Sequence, residues 1–327
     1  NLYGHHMVEA GAKGFELADK RLFQLTRAGY AGTNRYSHTW AGDNQSIYDH
    51  LRLMIPQLSN MSLSGQAYVG VDIGGFGGDT TPELLTRWAI AAIFNPLYRN
   101  HSAINTLDQE PYHLEEPYLS AYRKAVLTRY LLLPTLYDLL YLAESKGSIA
   151  LRPLVYNFPF DERVQNENTE LMLGEDFLLS PALFPGQDKR SAYFPTTFLD
   201  LNGILYPKGD SLIDCSINDI PLFFNLGGLA VISPDGHNAA LPPTTLRLLV
   251  GYLPKKIIHF EDEGDGRGYE KGRYNLYEIE YAPEDGIHIK ILHDGMPSNY
   301  RGISFLHPGM EETKRPYEGG EAFFPFK

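Results

Sequence analysis

The chain has 327 residues, 43% hydrophobic and 21% charged, which is enough to build a substantial core and two or three domains. A net charge of −12 argues against nucleic acid or an anionic membrane surface as partner, and no apolar run approaches the roughly 18 residues of a membrane-spanning helix. The single cysteine, Cys215, rules out a disulfide within the chain and fits a reducing, cytoplasmic compartment, a weak pointer because secreted bacterial enzymes also often lack disulfides.

In chain order, Asn1–Lys20 reads as an amphipathic helix through Met7, Val8, Phe15 and Leu17. Arg21–Arg27 reads as an apolar strand ending in Arg27. Residues 36–44, Tyr-Ser-His-Thr-Trp-Ala-Gly-Asp-Asn, are a short β-branched and aromatic run that ends in a glycine and then presents Asp43 beside Trp40. Ser46–Met61 has apolar residues at Ile47, Leu51, Met54, Ile55 and Leu58, at helical spacing. Gln66–Asp72 is a further strand, ending in Asp72. Pro82–Phe94 has the proline and Glu83 of a helix start, and Pro96–His101 is a shorter strand ending in Arg99 and His101.

This alternation predicts parallel strands joined by crossover helices, an α/β fold in which chemistry collects at the C-terminal ends of the strands, in barrels and doubly wound sheets alike. Arg27, Asp43, Asp72 and His101 all fall at such ends. Core packing alone would accept Ser or Gly there, so four polar side chains at equivalent positions point to a site.

Pro117–Lys146 reads as one long helix, kinked at Pro134 and stopped by Gly147. From Ile149 onward the pattern changes to short β-rich runs broken by Pro, Gly and Asn. These predict two all-β units divided near Asp235-Gly236, giving domains over 1–146, 147–235 and 236–327.

Each candidate also has a plainer reading. Asp43 could cap the Ser46–Met61 helix and Asp72 the glycine-rich turn that follows it; Arg27 could be a structural ion-pair partner of either. Trp40 and Phe76 could be core aromatics, and His101 a satisfied structural histidine. Other chemistries fail on inspection. The run Gly74-Gly75-Phe76-Gly77-Gly78-Asp79 lacks the Lys-Ser/Thr of a phosphate loop, and Arg273 stands where a calcium loop beginning at Asp262 needs its bidentate Glu. The HExxH and GxSxG motifs are absent.

The segments FQLTRAGYAG (23–32), WAGDNQS (40–46), VGVDIGGFGGD (69–79) and RNHS (99–102) together resemble the C-terminal half of the family 31 glycoside hydrolases, the α-glucosidase family. RPL (152–154), LMLGEDFLLSPAL (171–183) and, more loosely, EDEGDGRGYEKG (261–272) extend the resemblance over nearly the whole chain. It implies the second half of a (β/α)8 barrel followed by two all-β, sandwich-like units. It also implies that Asp43 is the general acid/base, its pKa raised by burial and by the neighbouring nucleophile of the full enzyme; that Arg27, Asp72 and His101 hold sugar hydroxyls; and that Trp40 and Phe76 wall the pocket. The family's nucleophile lies in a Trp-x-Asp-x-Asn-Glu motif that this sequence does not contain.

The implied activity is that of a retaining, exo-acting α-glucosidase on maltose-like oligosaccharides, with no metal or organic cofactor. The chain is expected to be one portion of a longer polypeptide, inactive alone, with the N-terminal portion of the same enzyme as its partner. Homo-oligomerisation, the linkage preference, and xylosidase or galactosidase specificity are left open. The alternatives are a transglycosylase on the same site and an inactive carbohydrate-binding or structural fragment.

Overall fold

The computed structural model describes residues 2–234 and 239–326. After helix α1 (Leu2–Leu17) come three parallel strands, β1 (Leu25–Thr26), β2 (His38–Trp40) and β3 (Val69–Gly70), side by side in that order, with Thr26 opposite Thr39 and Trp40 opposite Gly70. A second parallel pair, β4 (Asp72–Ile73) and β5 (Arg99–Asn100), sets Asp72 opposite Arg99. Helix α2 (Tyr48–Leu63) connects β2 to β3, and α3 (Pro82–Ala91) connects β4 to β5, as parallel pairing demands.

The helices bury the stripe that their periodicity predicts. Leu51, Met54, Ile55 and Leu58 of α2 pack with Val69, Val71 and Ile73 of the strands and with Leu84, Leu85 and Trp88 of α3. Helix α3 starts where Thr81 accepts the Leu84 N–H at 3.2 Å, with Pro82 in the first turn.

Two local expectations change. The strand expected over Gln66–Asp72 is divided, because the ladder changes partner at Val71: β3 bonds to β2 and β4 to β5. The single helix expected over Pro117–Lys146 is two, α4 (Tyr118–Leu131) and α5 (Leu133–Lys146). Pro134 offers no N–H to the turn before it and sits in the first turn of α5, so it starts a helix rather than bending one. Helix α5 ends at Gly147, in the left-handed region at φ +67°.

Beyond α5 the described residues are strands and loops, with short helical turns at 154–157, 162–164 and 268–271. Strands 151–152, 171–173, 177–179, 222–225, 198–200 and 205–206 form a six-stranded antiparallel sheet. Their period-2 alternation is buried on both faces: Leu171, Leu173, Phe177, Leu179, Leu222 and Phe224 join the core of α2 and α3, while Met172, Leu178 and Phe223 face the antiparallel pair of strands 189–194 and 209–214. The barrel portion and the first β unit therefore share one core.

The second β unit is a sandwich. One sheet orders strands 229–232, 245–250, 302–306 and 313–316; the other orders 255–262, 274–282, 286–294 and 322–325. Leu246, Leu248 and Ile303 of the first meet Tyr277, Ile279 and Ile287 of the second. The turn residues Asp235 and Gly236 expected to divide the β units lie outside the described residues. Strand 229–232, which precedes them, pairs with 245–250, so the change of sheet falls between Asn225 and Leu229.

Helix α5 is one point of attachment for this sandwich, beside links such as Lys255 Nζ to Glu175 at 2.6 Å. Asp138 accepts from His259 Nδ1 at 3.0 Å and from the Phe260 N–H at 2.9 Å, and His259 Nε2 lies 2.6 Å from the Tyr300 hydroxyl, all buried. Tyr137 and Arg21 both reach Asp262, at 3.0 and 2.8 Å, and Thr135 donates to the Val231 carbonyl at 2.6 Å.

Candidate active site

Trp40 closes β2, and the chain then turns to Asp43 and Asn44 before α2 begins. The helix starts at Tyr48 on Ile47, with no side-chain cap, so the capping role open to Asp43 is not used. Its carboxyl group accepts from Arg27 Nη1 at 3.3 Å. Arg27 directly follows β1, so two neighbouring strand ends place this pair at one mouth. With side chains 44% and 62% exposed, Asp43 and Arg27 are open to a ligand. The burial expected around Asp43 is absent, because the strand end projects it beyond the core.

Asp72 differs. It is fully buried, one carboxylate oxygen bonded to Arg99 Nη2 across the β4–β5 pair and the other accepting Trp40 Nε1–H at 3.2 Å. A buried carboxylate persists only with such partners. In this geometry both oxygens of Asp72 are occupied by protein partners. The Trp40 ring lies under both guanidinium groups, Arg27 at 5.6 Å and Arg99 at 5.3 Å from its centroid. One indole thus links the exposed acid to the buried one.

The glycine-rich run after β4 supplies the other wall. Asn44 fastens it: its Nδ2 donates to the Asp72 carbonyl at 2.9 Å, its Oδ1 accepts the Phe76 N–H at 2.9 Å, and its own carbonyl accepts the Gly77 N–H at 2.9 Å. Gly75 sits at φ +89°, and a Cβ there would collide with the backbone of Ser46. Phe76, half-buried, packs on the exposed His101 with ring centroids 5.2 Å apart. His101 follows β5 directly.

The structure thus groups the six singled-out residues into two linked sets, Arg27, Trp40, Asp43 and Asp72 on one side and Phe76 with His101 on the other, with Asn44 and the β4–β5 pair between them. Neither Asn44 nor Arg99 was among the residues singled out in the sequence as candidates for the site. The signal for Arg99 was its place on the short strand run that ends in His101, opposite Asp72 on the neighbouring strand. Among the described residues, the one grouping with metal-ligand geometry is Asp108, Glu110 and His113, all exposed.

Against known proteins, the family model described as "Glycosyl hydrolases family 31 TIM-barrel domain" matches residues 1–139, and "Glycosyl hydrolase family 31 C-terminal domain" matches residues 147–229. Alpha-glucosidase 2 of Bacillus thermoamyloliquefaciens is 35% identical over 98% of this chain and 42% of its own length. Glucosidase 2 subunit alpha of Saccharomyces cerevisiae is 31% identical over 93% of this chain and 33% of its own. Among solved structures, a family 31 α-xylosidase from Xanthomonas citri covers 96% of this chain with a TM-score of 0.85 at 25% identity, and is itself covered over 38%. The chain therefore spans less than half the length of each of these relatives. With parallel strands carrying charged groups at their ends, a β-rich continuation, and the two family models matching one after the other over residues 1–139 and 147–229, the chain belongs to glycosyl hydrolase family 31.

Proposed function

We propose that this chain carries the acid/base half of a retaining, exo-acting α-glucosidase site that releases terminal α-D-glucose from oligosaccharides. The observation that carries the reading is the exposed Asp43 carboxyl group at a strand end, paired with Arg27 beside the Trp40 ring. The α-glucosidase names of the curated relatives support the choice of glucose.

In this reading Asp43 protonates the glycosidic oxygen as the bond breaks, then takes the proton from the water that releases the sugar. Arg27 and His101 hold hydroxyls, and Trp40 and Phe76 supply apolar walls. Asp72 works one layer deeper, fixing the Arg99 guanidinium and the Trp40 indole. Retention requires a second carboxylate about 5–5.5 Å from the first. Asp72 is buried and held on both oxygens, so it is not free to attack carbon, and the nucleophile is assigned outside this chain.

The test is Asp43→Ala in the active enzyme. Loss of a general acid/base lowers kcat by about 10²–10⁴-fold on a poor leaving group and much less on a good one. Added azide, which needs no base, should restore turnover and yield α-glucosyl azide. A variant equally impaired on all leaving groups and deaf to azide would remove Asp43 from the mechanism. Parallel assays on aryl α-xylosides decide the sugar, and the 327-residue chain alone should turn over neither substrate.

A further inference from the structure

Gln109 is 3% exposed, and no motif in the sequence draws attention to it. Its Nε2 donates to the Gly75 carbonyl at 2.9 Å. Its Oε1 is buried with no hydrogen-bond partner, an arrangement that costs free energy and that packing alone would avoid with Leu or Met. Its backbone carbonyl accepts Asn100 Nδ2 at 2.7 Å, and Asn100 lies on β5 directly before His101. A Cβ on Gly74 would collide with the Gln109 amide, so the glycine and the glutamine are fitted to each other.

Two separate segments meet at this residue. Through its side chain Gln109 holds the turn that carries Phe76, and through its main chain it holds the strand that carries His101. These two rings face each other at 5.2 Å. Gly75 in turn donates its N–H to the Asp72 carbonyl at 3.2 Å, so the same turn reaches the buried acid.

We propose that Gln109 is a positioning residue that sets the separation of Phe76 and His101 and so determines how tightly the site closes on its sugar. The inference rests on the reading of this site as a sugar pocket. It commits Gln109 to ground-state and transition-state binding alike, and not to the proton transfer at Asp43.

The test uses Gln109→Met, which keeps length but removes the N–H, and Gln109→Glu, which keeps shape but replaces the donor by an acceptor. In the active enzyme both should raise KM for an α-glucoside by about tenfold with kcat within about twofold, the pattern of lost uniform binding. A merely structural role lowers the amount of active protein and hence kcat, and leaves KM where it was. The second readout is the His101 imidazole C–H resonance, assigned with His101→Gln; it should shift in both variants as the Phe76 ring moves.

Unchanged KM and an unchanged His101 resonance in either folded variant overturns the proposal. If Gln109→Met fails to fold, Gln109→Glu decides. If wild-type enzyme hydrolyses no α-glycoside, the reading of the site has failed, and the His101 resonance alone still tests whether Gln109 positions the ring.

Discussion

Two arginines of this site bind carboxylates, and they are worth different amounts. Arg27 and Asp43 are both substantially exposed, so water and salt compete for each; Arg27→Met should cost less than about 1 kcal/mol of stability. Arg99 serves the fully buried Asp72, and Arg99→Met strands a desolvated charge, at a cost of about 3–5 kcal/mol. Denaturant unfolding of both variants checks the contrast, and equal losses would contradict it. Trp40→Phe keeps an aromatic ring under the guanidiniums and removes only the N–H to Asp72. It should lower kcat/KM by about tenfold, the worth of one hydrogen bond to a charged acceptor. Positions 27, 43, 72 and 101 could be singled out because strand ends follow from the β-α alternation, whereas 40 and 76 were marked only by the family resemblance. Which acid would be buried was not legible, since that depends on Arg99 crossing from the next strand, and Gln109 was invisible because its partner is a main-chain carbonyl 34 residues away.

Among the elements, the strands of the first β unit show how an apolar run conceals polar commitments. Glu170 precedes strand 171–173 and is 1% exposed, accepting from Ser180 Oγ at 2.8 Å and the Tyr193 N–H at 3.3 Å, with Arg190 3.6 Å away. Burial pushes its carboxyl up from 4.5 to about 7. As pH rises from 4.5 to about 7 the unfolded chain releases this proton while the folded chain retains it, so the contribution is full at low pH and lost across that window. The loss is of order 3 kcal/mol. Glu170→Gln should flatten it, and urea unfolding near pH 4.5 and near pH 8 measures the difference; parallel curves for the two proteins would refute it. The sequence revealed these runs as strands, but burial on both faces needed the antiparallel pair 189–194/209–214, whose members are separated in the chain by two strands of the other sheet.

On the scale of the whole molecule, α5 is the beam on which the sandwich rests. Asp138→Ala removes the acceptor of both His259 and the Phe260 N–H in a buried setting, so about 3–5 kcal/mol should be lost from that junction. The expected result is a split of one thermal transition into two, read by calorimetry, with the sandwich melting first; a single transition merely lowered in temperature would place the coupling elsewhere. Strand 229–232 precedes the Asp235-Gly236 turn signal in sequence and yet pairs with strand 245–250, which follows it. Turn residues mark where a chain reverses, not which sheet its neighbours join.

That strand also dictates how the molecule answers to scission. Residues 229–232 are continuous in sequence with the first β unit, but their ladder is with 245–250 of the sandwich, and Thr135 of α5 grips the Val231 carbonyl from below. A nick anywhere between Ile232 and Thr245 would sever the polypeptide and leave the sheet intact. The two pieces should co-elute under native conditions and part only in denaturant; separation on native gel filtration would contradict this.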